Sequence, residues 1–300
     1  MIKKNKFPVK IEENVLLSSL TTFGIGGPAK FFCSVHSNEE LINIAMLTKK
    51  RKKDFLVLGG GSNILVSDSG FSGLVIKMEN DKISCQKNKI KANSGAKLAQ
   101  LVALARKKGL SGLEPYWGIP GTIGGAIVGN AGSKDHWIDQ VIEDVTILTP
   151  QNKIITLNNQ QCQFGYRTSR FKTSQEIILK AVFNLKKEKK DKIEKKQKTF
   201  ASLRTNQPKG KSAGSIFKNP PHLSAGKLID QVGLKGKKIG QAQISNQHAN
   251  FIINTNQAKA EDVLTLIRLV QKEVKEKFNL KLEPEIKFIG FAKSEIADII

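Results

Sequence analysis

Two glycine-dense stretches hold the residues best suited to bind an anionic ligand. In Phe55–Asp68 (FLVLGGGSNILVSD), a strand over Leu56–Leu58 runs into Gly59, Gly60 and Gly61, after which Ser62 and Asn63 add side-chain donors. In Gly118–Gly132 (GIPGTIGGAIVGNAG), Gly118, Gly121, Gly124 and Gly125 recur every third or fourth residue ahead of Asn130, Ala131 and Gly132. Residues without a Cβ let backbone N–H groups turn toward a ligand and approach it closely, as a phosphate-bearing cofactor requires. Neither stretch has G-x-G-x-x-G spacing or the lysine of a Walker loop, so a Rossmann or P-loop site is not expected. Either loop alone could be a set of tight turns. Both in one chain point to an anionic cofactor.

Three further segments place polar residues where composition alone does not explain them. Tyr166-Arg167-Thr168-Ser169-Arg170-Phe171 offers Arg167, which by itself reads more readily as a surface arginine. Ser212–Pro220 (SAGSIFKNP) sets Ser215 between Gly214 and Ile216, with Lys218 and Asn219 close behind. No G-x-S-x-G elbow surrounds Ser215, so a serine hydrolase is a poor reading and a turn serine remains open. Leu282–Phe288 (LEPEIKF) alternates as a strand that projects Glu285 and Lys287 to one face, equally compatible with an ordinary edge strand.

Composition narrows the function. Three hundred residues at 39% hydrophobic allow two or three globular domains. Cys33, Cys85 and Cys162 are an odd, widely spaced trio without C-x-x-C, which fits reduced cytoplasmic thiols and argues against disulfides; four scattered histidines weaken a metal site further. The N-terminal MIKKNKFPVKIEENV lacks the apolar core of a signal peptide, and no apolar run reaches membrane-spanning length. The balance of 49 basic and 26 acidic residues, +23, suggests a nucleic-acid binder, but the lysines are spread along the chain and no recognition helix or arginine-rich arm appears. A positive field also steers small anionic substrates, which is the milder explanation.

The elements that must position these residues are α+β. Ser37 should cap a helix through Leu41, Ile44 and Leu47 to Lys49–Lys53; a second helix spans Ala96–Lys108 and stops at Gly109. Strands are expected at Phe31–Val35, Phe55–Leu58, Gly73–Lys77, Lys89–Ala92, Val141–Leu148 and Ile177–Leu185. Lys186–Lys198 interleaves Glu188, Asp191 and Glu194 among its lysines and reads as a solvated, helical or frayed connector. Beyond it, Ser224 should cap Ala225–Val232, Ala249–Asn254 should be a strand, and Ala260–Phe278 is an amphipathic helix. The tail Ala292–Ile300 has no clear pattern.

Together with LTTFGIGGPAKF at Leu20–Phe31 and AGKLIDQVGLKGKKIGQAQISNQHANFIIN at Ala225–Asn254, the segments GGGSN, GIPGTIGG, YRTS, SAGSIFKNP and LEPEIKFIG occur in the order found in one enzyme family. The chain resembles UDP-N-acetylenolpyruvoylglucosamine reductase, the flavoenzyme that completes UDP-N-acetylmuramate in bacterial cell-wall synthesis, from about Leu20 to Phe291. The resemblance implies an FAD-binding unit of the vanillyl-alcohol-oxidase type in two α+β subdomains (15–80 and 81–186), a charged connector (187–199) and an α+β substrate domain (200–291). It implies non-covalent FAD held by Gly59, Gly60, Gly61, Ser62, Asn63, Gly118, Ile119, Pro120, Gly121, Thr122, Gly124, Gly125, Ala126, Asn130, Ala131 and Gly132. The catalytic residues implied are Arg167, Ser215 as proton donor, and Glu285. Tyr166, Lys218, Asn219, Lys235, His248 and Lys287 would contact the substrate, UDP-N-acetylglucosamine-enolpyruvate. NADPH would be the co-substrate, in a cytoplasmic monomer with no nucleic-acid or membrane partner.

Two departures bear on detail. Some members carry a tyrosine-bearing loop between the flavin and substrate domains; here the only tyrosines are Tyr116 and Tyr166, so the chain resembles the loop-lacking second type. Lys287 stands where an arginine is usual, keeping the charge but losing bidentate geometry. The rival readings are a flavoprotein oxidase of the same fold and a non-catalytic UDP-sugar or nucleic-acid binding module. Covalent flavin oxidases use a histidine, and none lies within either glycine loop.

Overall fold

The computed structural model describes residues 8–133 and 135–300, so the first seven residues of the lysine-bearing N-terminal segment lie outside it. The chain forms two compact units: one of Cys33–Gly60 and Val75–Thr205 with residues 8–11, the other of Glu12–Phe32, Gly61–Leu74 and Asn206–Ile300.

In chain order the main elements are β1 (Glu12–Leu16), β2 (Pro28–Val35), α1 (Asn38–Lys50), β3 (Phe55–Leu58), β4 (Ile64–Val66), β5 (Phe71–Met78), β6 (Ile83–Gln86), β7 (Lys89–Asn93), α2 (Leu98–Lys107) and α3 (Ile123–Val128). There follow β8 (Ile142–Leu148), β9 (Ile154–Asn158), β10 (Ile177–Asn184), α4 (Lys190–Ser202), α5 (Ala225–Gln231), β11 (Ala242–Ile244), β12 (Ile252–Asn254), α6 (Ala260–Phe278), β13 (Lys287–Ile289) and α7 (Lys293–Ile296). The α+β expectation is met.

The first unit is built on an antiparallel sheet of order β9-β8-β10-β7-β6. Ala92, Val145, Ile147, Ala181 and Phe183 face a core completed by Leu98, Leu101, Val102 and Ala105, the apolar stripe of α2. Ser37 accepts from the Glu40 amide at 3.0 Å and caps α1 as its sequence demands. α4 is more than a solvated connector. Ile193 and Gln197, one turn apart, are buried while the charged residues between them stay exposed.

The second unit packs α5 and α6 around the sheet of β11 and β12, and β13 runs parallel to β4 with Lys287 opposite Ile64. The stripe Val263, Leu264, Leu266, Ile267, Val270 and Val274 is buried, and each such side chain contributes about 1.5–3 kcal/mol before chain entropy is counted. The tail docks as well: Ile299 is fully buried, Arg268 Nε donates to Asp298 at 2.8 Å, and Gln271 donates to the Ile299 carbonyl at 2.8 Å.

Two expected strands are shorter than their patterns. The strand at Ala249–Asn254 begins only at Ile252, because His248–Phe251 is a turn (Phe251 N–H to His248 carbonyl, 3.0 Å). The strand at Leu282–Phe288 begins at Lys287, since Pro284 has no N–H for a ladder. Glu285 and Lys287 still flank buried Ile286, as the alternation requires.

Candidate active site

Within the first unit the two glycine loops meet backbone to backbone. A Cβ on Gly60 would lie 2.7 Å from Gly121 Cα, and one on Gly59 would collide with the Thr122 hydroxyl. Gly118 and Gly121 have φ of +79° and +118°, conformations that side chains disfavour. Thr122 caps α3 by accepting from the Gly125 amide at 3.4 Å. The amides of Ile123, Gly124 and Ala126 are bonded to the Ala96, Ser94 and Thr122 carbonyls, and that of Ile119 to Tyr116. Among the described residues the amides of Gly60, Gly118, Gly121 and Thr122 carry no hydrogen bond, so these are the loop donors open to an anion.

Asn130 links this loop to the arginine segment. Its amide donates to the Gly165 carbonyl at 3.1 Å and its carbonyl accepts from the Asp139 amide at 3.2 Å. Gly165 and Thr168 exchange backbone hydrogen bonds (3.0 and 3.2 Å), leaving Tyr166 and Arg167 at the tip of a tight turn. Arg167 has φ +55°, a left-handed conformation that costs a residue with a Cβ about 1–2 kcal/mol. Its guanidinium lies 5.2 Å from the Trp137 ring centroid, and Trp137 meets Tyr166 edge to face at 5.3 Å. Gly132 allows this packing, because a Cβ there would come within 2.7 Å of the Trp137 ring. Arg204, unremarked in the sequence, donates to the Pro115 (2.7 Å) and Trp117 (3.1 Å) carbonyls just before Gly118. Burial, then the neighbouring Arg167 charge, push Arg204 below the usual arginine range.

Within the second unit, Gly61 turns with φ +63°, and the Thr22 amide donates to its carbonyl at 3.1 Å. Asn63 is held by the C-terminal strand: its amide donates to the Glu285 carbonyl at 3.4 Å, and its carbonyl accepts from the Lys287 amide at 3.0 Å. The Ser215 segment is tied down by isolated β-bridges between bends at Gly214 and Ile216. Ser215 bridges to Phe251 and Phe217 to Pro284, and the Glu285 amide donates to the Ile216 carbonyl at 2.7 Å. Ser215 and Glu285, far apart in sequence, are thus carried on adjacent backbone segments.

Buried Asn250 fixes this arrangement, which sequence reasoning missed although it lies in SNQHAN. Its side chain accepts from the Phe217 amide (2.9 Å) and donates to the Phe217 carbonyl (2.8 Å). Asn250→Ala leaves both groups buried without a partner and is expected to lower stability by roughly 2–4 kcal/mol. Denaturant unfolding checks this, and an unchanged midpoint would refute it.

The remaining substrate candidates also lie in this unit. Lys218 Nζ pairs with Glu283 at 2.9 Å, Lys235 Nζ with Asp230 at 2.7 Å, and Asn219 Oδ1 accepts from the Ala225 amide at 3.0 Å. His248 Nδ1 accepts from the Asn250 amide at 3.2 Å. Burial, opposed by a backbone hydrogen bond and helped by the charge of Lys235, pushes this imidazole below its usual range, and with Nδ1 accepting, the neutral ring carries its proton on Nε2. Lys287 is exposed. Burial raises the Cys33 thiol to about 12 and that of Cys162 to about 11, which leaves neither as a thiolate nucleophile.

Residues 29–158 match the family model described as FAD binding domain, and 206–289 match that described as UDP-N-acetylenolpyruvoylglucosamine reductase, C-terminal domain. A relative of that reductase name from Clostridium botulinum (strain Alaska E43 / Type E3) is 43% identical over 94% of this chain and 93% of its own length. One from Caldicellulosiruptor bescii is 45% identical over 91% and 89%. A crystal structure of the Thermus caldophilus UDP-N-acetylenolpyruvylglucosamine reductase, 37% identical, superposes with a TM-score of 0.83 over 94% of this chain and 99% of that one. Among the described residues no helix is long and apolar enough to cross a membrane. With relatives this similar along nearly its whole length, the chain belongs to the UDP-N-acetylenolpyruvoylglucosamine reductase family.

Proposed function

We propose that this chain reduces the enolpyruvyl ether of UDP-N-acetylglucosamine to UDP-N-acetylmuramate with NADPH and non-covalent FAD, as a cytoplasmic monomer. The flavin part would span 15–80 and 81–186 and the substrate part 200–291, with the segment 187–199 between them. The observation that carries the reading is the adjacency of the Ser215 and Glu285 segments, locked by the 2.7 Å bond from the Glu285 amide to the Ile216 carbonyl. A serine used only for a turn would need no such pairing. Family membership supports the same reaction.

The cofactor fits the residues present: glycines that admit no Cβ and open amides at Gly60, Gly118, Gly121 and Thr122 suit its pyrophosphate. When bound, FAD supplies the two-electron carrier between NADPH and substrate. The chain supplies the rest. An isolated C=C accepts hydride poorly, but one conjugated to a carboxylate accepts it at the terminal carbon if the resulting dianionic enolate is stabilised. Arg167, permanently charged and with a planar fork, is suited to hold that carboxylate. Ser215 gives the adjacent carbon its proton. Glu285 orients a cationic partner or acts protonated. Asn130, committed to Gly165 and Asp139, supports the Arg167 turn from within the flavin loop.

The purified protein is expected to be yellow, to release flavin on acid precipitation, and to oxidise NADPH only when the enolpyruvyl substrate is present. Colourless protein that takes up no FAD, or oxidation driven by oxygen alone, would overturn the reading. Gly60→Ala is expected to weaken FAD binding roughly tenfold to hundredfold, because its methyl would force the two loops apart. Flavin fluorescence titration measures it, and unaltered affinity would contradict the loop contact.

A further inference from the structure

One half-buried cation next to the glycine loops has no part in the scheme above. Lys77, near the end of β5, donates from Nζ to the Gly59 carbonyl at 2.5 Å, within the first unit. It is half-buried, with Glu79 and Lys97 as its charged neighbours. Burial, reinforced by Lys97 and opposed by Glu79, pushes its ammonium below the usual lysine range. A lysine stem carried inward to serve a single loop carbonyl needs a reason, since burying a cation is costly without a compensating partner.

The geometry of the peptide group supplies one. In a planar trans peptide the carbonyl of one residue and the N–H of the next point in opposite directions. No cis peptide occurs among the described residues, so a donor that pins the Gly59 oxygen also fixes the Gly60 N–H on the far side of the same plane. That amide is one of the open donors, and Gly60 is the residue pressed against Gly121 of the second loop. Were the plane free to flip, the carbonyl would take the place of the amide and repel an anion there.

We infer that Lys77 is a positioning residue for the FAD pyrophosphate, holding the Gly59–Gly60 peptide with its N–H toward the anion. The inference rests on the FAD reading above. Its ligand is a pyrophosphate, so ADP, which lacks the isoalloxazine, probes the same contact.

The test is equilibrium binding of FAD and of ADP to the full chain freed of flavin, for wild type, Lys77→Met, Lys77→Gln and Lys77→Arg. Lys77→Met is expected to lose roughly tenfold to hundredfold in affinity for FAD and by a similar factor for ADP, the range for losing a hydrogen bond to a charged group. Lys77→Arg should recover most of it and Lys77→Gln, a neutral donor, part of it. Added FAD should restore NADPH turnover of Lys77→Met to near the wild-type kcat, since the defect is in loading. Equal affinities for all four proteins would overturn the inference, as would an arginine variant no better than the methionine one. If Lys77→Met does not fold, the glutamine-to-arginine comparison decides by the same criterion. A wild-type chain that binds neither FAD nor ADP would instead overturn the cofactor reading itself.

Discussion

Ser215→Ala is expected to slow the oxidation of reduced enzyme by the enolpyruvyl substrate by roughly 10²–10⁴-fold, the range for losing a positioned general acid. Reduction of the enzyme by NADPH should be nearly unchanged, because that half-reaction needs no proton at the substrate carbon. The variant should fold normally. The segment is held by backbone bonds from Ile216, Phe217 and Lys218 to Asn250 and Glu283, and none uses the Ser215 hydroxyl. Single-turnover stopped-flow absorbance separates the two halves. Equal slowing of both would remove Ser215 from the proton-donor role.

Arg167→Lys should cost nearly as much for a different reason. The substitution keeps the charge but loses the fork that grips a carboxylate and the stack over Trp137, 5.2 Å away. A fall in kcat/KM of roughly 10²–10³-fold is expected, comparable to losing a donor aimed at developing negative charge. Nearby Arg204 cannot substitute, since its guanidinium is tied to the Pro115 and Trp117 carbonyls. The variant should be less stable than the parent by at most about 0.5–2 kcal/mol, the worth of the cation–π contact to Trp137 that it weakens. Steady-state kinetics with thermal unfolding checks both parts. Unaltered kcat/KM would exclude Arg167 from carboxylate binding.

Local pattern carried the helices far. Ala260–Phe278 is helical over the expected span, and Ser37 and Ser224 cap where expected, because amphipathic spacing and a capping hydroxyl are properties of adjacent residues. The same locality explains the misses. The start of α6 is capped by Asp68, whose carboxylate accepts from the Ala260 amide at 2.9 Å. Nothing near Lys259 announces this. The tail Ala292–Ile300 lacked a pattern because its anchors, Arg268 and Gln271, lie on another helix.

The candidate residues divide the same way. Glycine spacing by itself marked where a backbone can approach an anion, and the order of motifs marked the family, since both are written in residue type. Which amides remain open after α3 has capped itself, which carbonyl Lys77 holds, and that Asn250 braces the Ser215 segment were decided only by folding. A hydrogen-bond donor is available or spent according to what lies across from it, and distant stretches of chain bring those partners.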